Sequence, residues 1–239
     1  MIIGGIEKLT LLDYPGKLAA IIFTQGCNFR CQYCYNPMLV WPIEDGRLKY
    51  QRDHSQIIES DLFVFLESRR GKLDGVVISG GEPTLHRDLP VFIKKIKDLG
   101  FAIKLDTNGT NSVMLKDLLS QNLLDYVAMD IKAPFAKYEQ VTAVTVDLKN
   151  IEESIAIIKK SGLPYEFRTT LVPGLHDLEA VEQMGQLIIG ADKWYLQFFK
   201  SDTDLVSRGL ENKPRFTHAE MTAMATVGQK YAKLCVVRG

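Results

Sequence analysis

LAAIIFTQGCNFRCQYCYNP, Leu18 to Pro37, runs a short apolar segment straight into three cysteines, Cys27, Cys31 and Cys34. LAAIIFTQ (18–25) has the nearly continuous apolar character of a strand covered on both faces. Five more such strands are expected downstream: GVVIS (75–79), FAIKLD (101–106), YVAMDI (126–131), PYEFRTTLV (164–172) and WYLQFF (194–199). Between them lie stretches whose apolar residues recur three and four apart. Leu89, Phe92, Ile93, Ile96 and Leu99 precede Gly100 in this way, and Ile151, Ile155 and Ile158 precede Gly162. Six β-α units in a row predict an α/β fold with parallel strands and right-handed crossovers, arranged as an open or partial (β/α)6 barrel. A last helix opens on Thr217-x-x-Glu220, a capping-box pattern, with Met221, Met224, Val227 and Tyr231 on one face, before a short closing strand, LCVV. No repeat, low-complexity tract or linker interrupts the chain, so one domain over residues 1–239 is expected.

In such sheets the chemistry collects at the carboxyl ends of the strands. The cysteine loop follows the first strand, SGGEP (79–83) the second and DTNG (106–109) the third. Asp130 and Lys132 end the fourth, Arg168 lies in the fifth ahead of VPG (172–174), and Gln197 lies in the sixth. The unusual residues thus fall at one edge of the expected sheet.

Composition narrows the partners. Among 239 residues, 29 Lys and Arg balance 29 Asp and Glu, which supplies no electrostatic basis for a nucleic-acid or membrane partner. The basic runs Arg69-Arg70, Lys94-Lys95-x-Lys97 and Lys159-Lys160 read as solvated helix faces. Leu18 to Phe23, the longest apolar run, falls far short of the roughly 20 residues that span a bilayer. The first residues lack the zones of a secretory signal. A cytoplasmic protein keeps its thiols reduced, and clustered cysteines there point to metal or catalysis.

Structural zinc wants four ligands, usually two Cys-x2-Cys pairs. Here one such pair exists, Cys235 is remote, and the four histidines (His54, His86, His176 and His218) are scattered. Thiolates at short spacings also bind iron–sulfur clusters. Three ligands on a four-iron cube would leave one iron open to a substrate or cofactor.

Cys-x3-Cys-x2-Cys with Tyr33 before the last cysteine, followed by GGEP and DTNG in this strand order, resembles the radical S-adenosylmethionine (SAM) enzymes over essentially the whole chain. The resemblance implies a [4Fe-4S] cluster on Cys27, Cys31 and Cys34, with SAM chelating the fourth iron. It also implies that Gly80 and Gly81 allow close backbone approach and that Glu82 meets the SAM ammonium. Tyr33 and Tyr35 would flank the adenine or belong to the core. Asp130 would face the ribose, and Lys132 the SAM carboxylate. Asp106 and Thr107 resemble positions that in some relatives help hold a monovalent cation; a strand-end turn is their other reading. Arg168, a charge inside an apolar strand, needs a partner, either a cofactor or substrate carboxylate or a structural ion pair. Gln197 stands where some relatives have a histidine, a departure that bears on the last SAM contact.

The chemistry so implied is reductive cleavage of SAM to a 5′-deoxyadenosyl radical that abstracts hydrogen, under anaerobic conditions and with a flavodoxin- or ferredoxin-type electron donor. LTLLDYPGK (9–17), Asn36-Pro37 and the closing VVRG (236–239) resemble enzymes that activate glycyl radical enzymes, above all anaerobic ribonucleotide reductase. DYPG taken alone reads as a β-turn with proline at its second position. With one cysteine left over, an auxiliary cluster is not expected. The competing reading is a radical SAM enzyme acting on a small molecule or peptide.

Overall fold

The computed structural model describes residues 1–41 and 57–238; His54 and Gly239, both named above, lie outside them. The strands are β1 (Ile3–Thr10), β2 (Ala19–Thr24), β3 (Gly75–Gly80), β4 (Ala102–Thr107), β5 (Tyr126–Asp130), β6 (Tyr165–Leu171), β7 (Ala191–Phe198) and β8 (Ala232–Arg238). The α-helices are α1 (Pro37–Val40), α2 (Glu59–Ser68), α3 (Leu89–Asp98), α4 (Ser112–Ser120), α5 (Tyr138–Thr142), α6 (Leu148–Lys160), α7 (Leu178–Leu187) and α8 (His218–Gly228). All six expected strands are present, and the sheet is mostly parallel, as the β-α alternation requires. Among the described residues no helix is long and apolar enough to cross a membrane.

Met1–Asn28, Met38–Thr107 and Val113–Val127 form one compact unit. Its strands stand in chain order, with β2, β3 and β4 parallel. Thr24 pairs with Gly80 and Ile78 with Leu105, so the strand ends that carry the motifs line up. The outer strand β1, antiparallel to β2, was not expected. Its sequence, IGGIEKLT, lacks an apolar run, and Glu7, Lys8 and Leu9 are exposed. An outer strand keeps one side towards water and so escapes a search for buried runs. At the opposite strand ends, Lys17 N–H donates to the Tyr14 carbonyl at 3.1 Å and Gly16 sits at φ +73°, so the expected β-turn is present one residue later than DYPG, over Tyr14–Lys17 with Pro15 second. The turn drives the Tyr14 ring into a cluster with Ala19, Ile21, Val77 and Tyr126, edge-on to Tyr126 at 6.0 Å. Tyr14 thus plugs the amino ends of β2 and β3.

Phe29–Pro37, Asn108–Ser112 and Ala128–Gly239 form the second unit, in which β6, β7 and β8 are parallel. Helix α6 buries Ile151, Ile155 and Ile158, the residues its periodicity singles out. Helix α8 starts at the expected capping box: Glu220 N–H donates to the Thr217 hydroxyl at 3.2 Å, and Thr217 N–H to the Glu220 carboxylate at 2.7 Å. Met221 and Met224 are buried as expected, but Tyr231 lies beyond the helix end. Gly228 takes the last buried position, where a side chain would collide with the Cys235 sulfur. Thr217→Ala should cost about 1 kcal/mol of stability, read as a shift of the urea midpoint at unchanged slope.

Candidate active site

The cysteine loop begins at the end of β2 and is closed at its neck. Gly26 N–H donates to the Leu39 carbonyl at 2.8 Å and Cys27 N–H to that of Val40 at 3.1 Å. The Gln25 amide donates to the Met38 and Trp41 carbonyls at 2.7 and 2.8 Å. Gln25 is a site residue that sequence reasoning missed. The GGE loop rests on this neck: Gly81 N–H donates to the Thr24 carbonyl at 2.9 Å, and Glu82 N–H to that of Gly26 at 2.8 Å. A methyl group on Gly81 would overlap the Gly26 carbonyl, so one reason for glycine here is the closeness of two loops.

Glu82 is 1% exposed. One of its oxygens accepts from Thr84 N–H (3.1 Å), the Thr84 hydroxyl and the Thr107 hydroxyl (2.7 Å). Three donors on one oxygen stabilise the ionised, fixed carboxylate. Thr107 therefore supports Glu82 directly. Asp106, its neighbour at the end of β4, is ion-paired with Lys104.

In the second unit, Phe29–Pro37 is pinned by its backbone. Arg30 N–H donates to Thr142 (2.8 Å), Cys34 N–H to Cys31 (3.0 Å), and the Cys34 and Gln32 carbonyls accept from Val206 and Ser207 (3.0 and 2.9 Å). Burial pushes the Cys31 thiol up to about 11 against the pull of Lys132, and raises Cys34 as well. Iron binding must therefore displace protons. Tyr33 is buried with no hydrogen-bond partner for its hydroxyl, whereas Tyr35 is half exposed.

Asp130 joins two cations. Arg168 Nε donates to one carboxylate oxygen and Lys132 Nζ to the other, both at 2.9 Å. Burial opposes both charged forms. The adjacent Arg168 and Lys132 nevertheless hold the Asp130 carboxyl well below the usual range, and Asp130 holds the Lys132 ammonium above its own. Arg168 thus has a structural ion pair. In register, Gln197 stands beside Thr170 and Arg238, on the β7 face that also carries Tyr195, the partner of Arg168. Arg238 bonds the buried Glu166 at 2.9 Å and lies 3.5 Å from the Tyr195 ring centroid. This pair also went unnoticed in the sequence.

His176 was set aside as scattered, yet it anchors Lys132. Its Nδ1 accepts from Val172 N–H at 3.1 Å, so Nε2 carries the proton and donates to the Lys132 carbonyl at 2.9 Å. Lys132 N–H in turn donates to the Tyr138 hydroxyl at 3.4 Å. Burial lowers the His176 pKa despite these backbone bonds. The folded value lies below the unfolded value of about 6.5, so this contribution to stability is whole above that pH and is lost as pH falls towards the folded value. His176→Leu should cost about 1–3 kcal/mol near pH 7.5 by orphaning two backbone groups. The gap to wild type should narrow down to pH 5 in urea titrations; a gap independent of pH would refute the assignment.

The donor set fits a cluster with an open iron. All three thiols of the loop are free of disulfides. Cys235 packs on Gly228 of α8 and pairs in register with Trp194, so strand alternation turns it away from the Arg168, Tyr195 and Gln197 face. Among the described residues no three His, Cys, Asp or Glu side chains converge as on a single metal ion. Cluster ligands stand around several irons and need not converge. The Thr24 and Tyr33 hydroxyls, buried without partners, add polar groups next to the thiols in sequence.

A family model described as the radical SAM superfamily matches residues 21–188. Its members use a [4Fe-4S] cluster and SAM. A Methanocaldococcus jannaschii protein, provisionally named as a glycyl-radical enzyme activating enzyme, is 32% identical over 99% of this chain and 95% of its own. The pyruvate formate-lyase-activating enzyme of Streptococcus mutans is 28% identical over 74% of this chain and 67% of its own. The crystal structure of Streptococcus suis SuiB bound to SAM superposes with a TM-score of 0.67 at 14% identity, covering 92% of this chain and 50% of that one, a likeness of fold. The chain belongs to the radical SAM superfamily, in the branch of the glycyl-radical enzyme activating enzymes.

Proposed function

We propose that this protein is a cytoplasmic activating enzyme that removes a hydrogen atom from a glycine of a partner protein, with anaerobic ribonucleotide reductase as the partner and a flavodoxin or ferredoxin as electron donor. The observation that carries this reading is a backbone-pinned loop bearing three cysteines, none of them in a disulfide, while the fourth is packed against Gly228 on the face of β8 opposite Gln197. When bound, the cluster and SAM supply the one-electron chemistry that breaks the glycine C–H bond. The rest falls to the chain. Cys27, Cys31 and Cys34 hold three irons. Glu82, fixed by Thr84 and Thr107, receives the SAM ammonium, with Gly80 and Gly81 keeping the approach open. Lys132 neutralises the SAM carboxylate while Asp130 orients the ribose, and Arg168 keeps Asp130 ionised. Tyr33 and Tyr35 cover the adenine, and Gln197 donates its amide to the nucleotide.

Anaerobically reconstituted protein should hold about four irons per chain and convert SAM to 5′-deoxyadenosine with dithionite. Mixed with anaerobic ribonucleotide reductase, it should produce a protein radical seen by electron paramagnetic resonance. Deoxyadenosine without that radical would favour a small-molecule or peptide substrate, and colourless zinc-loaded protein would end the proposal.

A further inference from the structure

Lys104 is a lysine in the middle of a strand with its side chain 1% exposed. It shares a face of β4 with Asp106, two residues on, and its ammonium bonds one Asp106 oxygen. Two apolar groups lie beside it. Val77 is its register partner on β3, and the Tyr126 ring, backed by Tyr14, lies 5.9 Å from Nζ. A buried ammonium is costly, and an apolar residue of the same length would pack against Tyr126 equally well. Stability alone therefore does not account for the lysine. Its partner gives the reason: Asp106 is 11% exposed and precedes Thr107, the donor to Glu82.

We infer that Lys104 is a tethered counter-cation for Asp106, occupying at that carboxylate the position a free monovalent cation would need. A Na+ or K+ ion on the same oxygen would have to displace the ammonium or stand beside a like charge where little water screens it, with Lys104 1% and Asp106 11% exposed. Asp106 and Thr107 therefore do not fit the role of a cation site that family resemblance suggested. The chain carries the charge itself and binds SAM without Na+ or K+. The inference rests on the proposed function in so far as Asp106 lies within the SAM-binding machinery.

The test measures SAM affinity by equilibrium dialysis on cluster-loaded protein at constant ionic strength, with K+, Na+ or tetramethylammonium, which is too large to coordinate. Wild-type affinity should vary less than about twofold among the three salts, and 205Tl+ should show no line broadening on adding the protein. Lys104→Met should bind SAM about tenfold more weakly in tetramethylammonium and recover in K+ or Na+. A wild type that loses affinity without K+ and Na+, or broadens the thallium line, overturns the inference. So does a Lys104→Met variant that binds equally well in all three salts. Should Lys104→Met not fold, the wild-type arms decide alone. A wild type that binds SAM in no salt refutes the proposed function, while the thallium line still tests the lysine.

Discussion

Cys31→Ala should purify colourless, bind substoichiometric iron after reconstitution and form 5′-deoxyadenosine at the no-enzyme background. The loss is chemical, because the fold of the loop does not hang on this thiol. Cys31 is buried and in no disulfide, its carbonyl accepts Cys34 N–H, and the flanking Arg30 N–H is tied to Thr142. Alanine keeps every one of these backbone bonds. The apo variant should therefore unfold within about 1 kcal/mol of wild-type apo protein, a figure for trimming a small side chain. A variant that still assembles a four-iron cluster and cleaves SAM would remove the thiol trio from the mechanism. Cys235→Ala is the control: lodged against Gly228 and Trp194, it should alter stability and leave the iron content unchanged.

Asp130→Leu should be the most destabilising single change in the second unit. It strands two cations, Arg168 and Lys132, in a setting where each is mostly covered. Breaking a fully buried pair costs about 3–5 kcal/mol. The Asp130 side chain keeps 26% exposure, so about 2–4 kcal/mol is the better expectation. The triple variant with Arg168→Leu and Lys132→Met should recover part of that stability while still failing to bind SAM, which separates folding from function. The pH dependence has a definite sign. The folded Asp130 pKa is depressed, so its contribution is present above the unfolded value of about 3.9 and is lost as pH falls below it. If Asp130→Leu matched wild type in urea at pH 7, the ion-pair account of Arg168 would be wrong.

Much of this architecture was legible in one pass along the chain. The six expected strands differ from the observed ones by a few residues at their ends, because buried strands announce themselves through short apolar runs. The capping box at Thr217 and the turn around Pro15-Gly16 are local chemistry between neighbours, the first where the residues foretell it and the second one residue on. Lys104 had a signal as strong as that of Arg168, a charge within an apolar strand, and was passed over. β1 and His176 had none. An outer strand needs no apolar run, and a lone histidine three residues after a proline looks the same whether it anchors a lysine or faces water.

Spacing and periodicity along the chain were enough to establish the α/β order, the three-thiol loop and the edge of the sheet at which the motifs gather. They could not reveal what those motifs rest on. The neck that Gly81 presses against, the threonine under Glu82 and the histidine behind Lys132 are contacts between residues 25 to 57 positions apart. Hydrogen bonds and ion pairs act over a few ångströms of space, whatever the separation in sequence. Only folding brings such groups within reach, and their roles could be read only once it had.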